Sequence, residues 1–401
     1  MYTKQIASAV AALSFVSGAV AVGCSDPTAT IRSPADATAI AKCGDIDGSI
    51  LISKDFSGDV NLGALEKIGG DLIALDNPNI TSLTASFLGE IGGALQLKNL
   101  ISMSSLQLQR LSTVDTIEWV TLRRLTGATL GTPGITKASS VLVADTTIKS
   151  LDGINVDNLS FLNLNNNRDI VTFKTNIKTI SDQVIIDANG LKMQMEMPNL
   201  IWAANMTISN VTTFSAPALK TINGSASFSS NYFTSVTFPN LTKLEEGTFS
   251  FISNPQLKNL TMPLLTDIGG GFIVANNTAL SQINGFSKLE NIGGAIALRG
   301  SFENFTFPAL DDVRGAAEIT STEDIKSSCD KFQADKGSEV QGGISCVAEN
   351  ASANENTGEG GSGNSTSGNS GNGNSAGAFI GVNMATVLGL GAVGVFYTAF
   401  L

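Results

Sequence analysis

The stretch LEKIGGDLIALDN, residues 65–77, combines a corner, a short alternating strand and a polar stop. Leu72 and Ala74 sit two residues apart, the period at which side chains share one face of an extended chain, and Asn77 closes the phrase. Most of it returns as LTDIGGGFIVANN at 265–277 and as LENIGGAIALRGS at 289–301. A phrase restated over such a distance marks a unit that the chain builds repeatedly.

Aligned on its fourth residue, Ile68, the phrase has counterparts at Ile91, Val114, Ile135, Leu159, Ile180, Ile201, Ile222, Leu244, Ile268, Ile292 and Val313, in steps of 21 to 24 residues. That spacing belongs to solenoids. Four and six residues after the marker come pairs such as Leu95 and Leu97, Val184 and Ile186, and Phe272 and Val274, the pattern of a strand with alternate side chains inward. A second apolar pair precedes proline in several units: Val236 and Phe238, Leu260 and Met262, Phe305 and Phe307. Proline there stops the ladder. No long 3.6-residue period occurs in the repeats, which argues against helical horseshoes. The expectation is an all-β solenoid over residues 22–346, a right-handed parallel β-helix of leucine-rich-repeat-like coils. Counting Ile46 as the first, about thirteen coils at ~4.8 Å each would extend ~60 Å.

Asparagine recurs where the strand ends, at Asn77, Asn99, Asn166, Asn189, Asn210, Asn231, Asn254 and Asn277. An inward amide satisfies backbone groups that a turn strands, and stacked coils would place such amides in a ladder. The rival reading is a polar ligand groove; the demands of buried turn backbone favour the ladder.

The N-terminus has one basic residue, Lys4, an apolar run from Ile6 to Val16 and an Ala-x-Ala site at 19–21, which together read as a secretory signal peptide over 1–21. After it the cysteines fall in two close pairs, Cys24 with Cys43 and Cys329 with Cys346. Four cysteines allow three connectivities; nearest-neighbour bonding would close two loops of about twenty residues, each worth ~3 kcal/mol. A zinc site is disfavoured, because the chain has no histidine and the cysteines lack ligand spacing.

At the other end a Gly/Ser/Asn-rich linker, 347–374, leads into a polar spacer and an apolar tail from Ala385 to Leu401, with no Lys or Arg after Lys336. That layout fits a GPI-attachment signal, with 375–401 removed. Asn374 is the preferred attachment residue; Ser375, Gly373 and Asn372 stay open. Eleven Asn-x-Ser/Thr sequons agree with an exported glycoprotein. Eight are read as glycosylation sites: Asn79, Asn158, Asn205, Asn223, Asn240, Asn259, Asn304 and Asn350. At Asn259 and Asn304 the strand alternation turns the asparagine outward. Asn210, expected in the inward ladder, should be poorly occupied. A net charge of −11 excludes nucleic acid and other polyanions as partners.

Taken in order, SPADATAIAKCGDIDGSILI at 33–52, the L-x-x-I-x-G coils, the FPNL, MPLL and FPAL segments, the closing cysteine pair and the Gly/Ser/Asn tract with its tail resemble fungal GPI-anchored cell-wall organisation proteins. These form the extracellular-mutant and sporulation-specific group, with receptor-L-domain-like leucine-rich repeats. The resemblance covers nearly the whole chain. It implies a glycoprotein of the plasma membrane outer leaflet and wall, needed for wall integrity, with wall polysaccharides or wall proteins as partners, a GPI lipid as anchor, and no cofactor or catalytic residues.

A β-helical polysaccharide-active enzyme is the competing class. It needs two carboxylates set across a glycosidic bond, whereas Asp311 with Asp312 and Glu245 with Glu246 are sequence neighbours that point to opposite faces of a strand. Without histidine, Ser-His-Asp and Cys-His chemistry is absent. For a glycan-recognition module, Trp119 and Trp202 are the aromatic candidates, with burial the expected state of each.

Overall fold

The computed structural model describes residues 23–190 and 192–354. Parallel strands stack there as a β-solenoid of about 13 turns, roughly 22 residues apart. Residues 1–21, Asn364, Asn374 and residues 375–401, where the sequence predicts a leader, a sequon, an anchor site and a removed tail, lie outside the described residues.

Each turn has three sides. A two-residue strand such as Lys67–Ile68 is followed after a corner by a longer one such as Leu72–Leu75, and both join a 22-stranded sheet running the length of the solenoid. In the middle turns the two fuse into one strand, as in Asn158–Asn165 and Thr179–Asp187, with a register shift at the corner between Leu159 and Phe161. Such a bulge bends a strand without breaking it. The third side is divided among smaller sheets of four, three, two and two strands.

One turn shows why the sequence repeats. From Leu244 onward the inward side chains are Phe249, Phe251, Asn254, Leu257, Leu260, Met262 and Leu265, all buried. Burying one such apolar side chain contributes about 1.5–3 kcal/mol, but only if the coils above and below cover it. Towards the C-terminus the filling becomes aromatic: Phe228 stacks on Phe251 with centroids 5.0 Å apart, and Phe272 meets Phe286 edge-on at 4.9 Å. The paired glycines of the opening phrase have a steric cause: a Cβ on Gly92 would overlap the carbonyl oxygen of Gly69, and one on Gly293 that of Gly269.

Both ends are capped by a short helix. At the first, α1 (Pro34–Ala41) begins at Ser33, whose hydroxyl accepts from the Asp36 N–H at 3.3 Å while the Asp36 carboxylate accepts from the Ser33 N–H at 3.0 Å. At the second, α2 (Lys326–Lys336) sets Phe332 against Phe305 at 5.5 Å. Disulfides join Cys24 to Cys43 beside α1 and Cys329 to Cys346 between α2 and the last strand, Ile344–Val347.

Two marker positions differ from the sequence reading. Thr113 bridges Lys137, so Ala138, not Ile135, continues the column; Ile135 bridges Ile154 instead. Trp202 pairs with Thr179 and Thr221, which makes Ala203 the inward residue and leaves Ile201 43% exposed. In both turns a small alanine fills the place, and hydropathy matching selects the larger isoleucine nearby.

Candidate interaction surface

The asparagine ladder lies inside and is fully engaged. Asn231 Nδ2 donates to Ile208 O at 2.9 Å and to Asn254 Oδ1 at 3.0 Å, while its own Oδ1 accepts from the Val211 N–H at 3.1 Å. Asn77 Nδ2 donates to Ser53 O and Phe56 O, both at 2.9 Å, and Asn189 Nδ2 to Leu164 O at 2.7 Å. Three expected members are placed otherwise. Asn99, Asn166 and Asn210 occupy the preceding corner, with φ of +53°, +53° and +60°, a region that asparagine tolerates better than most residues. The inward residues of those turns are Leu100, Asn167 and Val211. Asn210 is therefore half-buried rather than inward, its Nδ2 donating to Asp187 Oδ1 at 3.0 Å. Asn167 is the member that sequence reasoning passed over; in the run Asn165–Asn166–Asn167 a shift of one residue exchanges corner for core.

The carboxylate pairs do not converge. Asp312 Oδ1 accepts from Gln341 Nε2 at 2.7 Å and its Oδ2 lies 3.6 Å from Arg314 Nε, while Glu245 and Glu246 are both exposed at a corner. Among the described residues no group of three or more His, Cys, Asp or Glu is placed to hold a metal ion. Trp119 is buried and Trp202 half-buried. The exposed aromatic rings are Phe87 and Tyr232, at 46% and 36%, with the Arg110 guanidinium 4.5 Å from the Phe87 centroid. The regular phenylalanine pattern gave no signal that Phe87 departs from it.

The longer strands present a broad outward face. Its central column runs through Thr207, Ser227, Ser250, Ile273 and Ala297 in register from coil to coil, half-buried except for Ser250, which is buried, and continues on the N-terminal side through Ile185, Asn163, Leu142, Glu118, Gln96 and Ile73. Beside it, the Ser209 and Ser229 hydroxyls lie 3.0 Å apart. On this face Lys98 pairs with Glu118 at 2.5 Å and Arg299 with Glu318 at 3.1 Å, while Asp187 accepts from the Asn210 amide. Serine and threonine hydroxyls alternate there with isoleucine, leucine and amide side chains at the ~4.8 Å strand spacing, which makes a flat, mixed surface with few charges.

The sequons avoid the central column of this face. Asn79, Asn240, Asn259 and Asn304 belong to the third side and its turns, Asn158 to the start of the fused strand Asn158–Asn165, Asn223, Asn210 and Asn276 to corners, and Asn350 to the C-terminal end. Asn205 reaches its edge, where its Nδ2 donates to Asp182 O at 3.2 Å and its Oδ1 accepts from the Ser225 N–H at 3.0 Å. No sequon asparagine stands in the central column, although Ser227-Phe228-Ser229 is a single substitution from one.

Over 347 residues the chain is 33% identical to the cell surface GPI-anchored protein of Arthroderma benhamiae, covering 86% of this chain and 87% of that one. It is 31% identical over 356 residues to protein ecm33 of Aspergillus fumigatus, covering 88% and 87%. The chain belongs to this family of fungal cell-surface proteins. Within the family, sporulation-specific protein 2 of Saccharomyces cerevisiae is 34% identical over 326 residues, which span 80% of this chain but only 64% of the yeast protein. No protein-family model matches the chain, and no solved structure matches it. The relatives' names describe location, anchorage and life stage, and none names a reaction.

Proposed function

We propose that the chain is a non-catalytic, GPI-anchored glycoprotein of the fungal plasma membrane outer leaflet and cell wall that supports wall organisation and integrity. The leader 1–21 directs export, the solenoid 22–346 is the working part, 347–374 holds it off the membrane, and 375–401 is replaced by lipid at Asn374. The observation that carries this reading is the flat face of the longer strands, whose central column holds no sequon asparagine. A flat surface that mixes hydroxyls, amides and aliphatic side chains with few charges suits a neutral, extended wall polysaccharide, and a chain of net charge −11 disfavours polyanions. Glycans on the other sides leave its central column open, and one on Asn205 would stand at its edge.

The test uses the glycosylated ectodomain with insoluble β-glucan, chitin and mannan, measuring bound protein and released reducing ends together. Retention on a neutral polymer without release is expected. Release of reducing ends would make the protein an enzyme, and failure to bind all three would remove polysaccharide as the partner. Peptide mapping of mature protein should find residues 385–401 missing.

A further inference from the structure

Between α2 and the third side of the last coils runs a groove of about 790 Å³. Small-ligand sites occupy roughly 300–1,000 Å³. Its walls include Asn304, Thr306 and Phe307 from the solenoid, and Ser328, Lys331 and Phe332 from the helix. Asn304-Phe305-Thr306 is a sequon. The Asn304 Oδ1 accepts from Ser328 Oγ at 2.9 Å, which ties the amide of this groove-lining residue to the helix through its oxygen; a glycan would join the other amide atom, Nδ2. Asn259 differs: its side chain is exposed two coils away, outside this groove.

We propose that this groove seats the first N-acetylglucosamine residues of an N-glycan on Asn304, so that the sugar packs as part of the C-terminal cap. The chemistry of the walls matches a sugar. Phe307 and Phe332, both buried, form an apolar floor, while the Thr306 and Ser327 hydroxyls and the Lys331 ammonium offer partners to its hydroxyl and acetamido groups. Because N-glycans join the nascent chain, α2 would close over a sugar already present. The proposal rests on the reading of the chain as an exported glycoprotein.

Site-resolved glycopeptide mass spectrometry on full-length secreted protein separates the two claims. Glycans at several sequons including Asn304 support both; glycans elsewhere with Asn304 empty overturn the groove proposal alone; no glycan anywhere overturns the exported-glycoprotein reading too. Hydrogen exchange of amides 326–336 then reports the packing. Thr306→Ala, which deletes the sequon and keeps Asn304, should speed their exchange roughly tenfold, Thr306→Ser should restore protection, and Asn259→Gln should leave it unchanged. On the folded wild-type protein, an endoglycosidase that leaves one N-acetylglucosamine should preserve protection and complete enzymatic removal should lose it. Unchanged exchange after complete removal would overturn the proposal, whatever the variants do.

Discussion

Asn254 donates from Nδ2 to the Oδ1 of Asn277 at 3.0 Å, and its backbone N–H reaches the same oxygen at 2.9 Å. One amide thus closes the corner of the coil beneath it and receives the next amide in line. Asn254→Ala would strand the Phe228 carbonyl and the Asn231 N–H, both of which it now satisfies. A stranded buried group costs about 1–3 kcal/mol, so denaturant unfolding should show a loss of at least that size.

The neighbouring corner column should behave differently. Asn99 donates to Asp76 Oδ1 at 3.0 Å in an exposed setting and holds a φ of +53°. Asn99→Gly keeps the permitted backbone and should change stability by less than about 1 kcal/mol. A loss equal to that of Asn254→Ala would contradict the separation of core from corner.

Gly92→Ala places a methyl group on the carbonyl oxygen of Gly69, whereas Gly127 has open space around it. The first change should cost about 1–3 kcal/mol through backbone strain, and Gly127→Ala should stay within about 0.5 kcal/mol. Equal thermal midpoints for the two would mean that the coils are not in contact at that corner.

Asp59 supplies a prediction about pH. Its carboxylate accepts from the Ser82 and Thr81 hydroxyls, each at 2.6 Å, which holds its pKa below the ordinary 3.8. A carboxylate with a lowered folded pKa contributes stability above its unfolded value and loses it as pH falls through the folded value. The contribution is therefore complete above about pH 4 and disappears in acid below 3.8. Replacing both hydroxyls, Thr81→Ala with Ser82→Ala, should move the NMR titration midpoint of Asp59 upward towards that value.

The solenoid was legible because its constraint is one-dimensional: each coil must present inward residues at the same places, and Ile68, Leu72 and Ala74 recur for that reason. Legibility failed where inward space is small, as at Ala138 and Ala203, since an alanine gives no hydropathy signal. It failed again at Asn166 and Asn167, whose roles differ by φ rather than by residue type. The outward face was not legible from strand pattern alone. Its character depends on what lies beside Ser227 in neighbouring coils, Thr207 and Ser250, and on where sequons fall around the section.

The central claim, that the face of the longer strands meets the wall, is tested most directly by placing a glycan on it. Ser227→Asn creates a sequon in the central column with Ser229, and Thr213→Asn creates one on the third side with Ser215. Both proteins are checked for occupancy by mass spectrometry and for folding by thermal unfolding, then measured for retention on the insoluble wall polymer that holds the wild type. The account predicts that the glycan at residue 227 abolishes retention while the one at residue 213 leaves it intact. Retention surviving full occupancy at residue 227, or lost only with the glycan at residue 213, would contradict it.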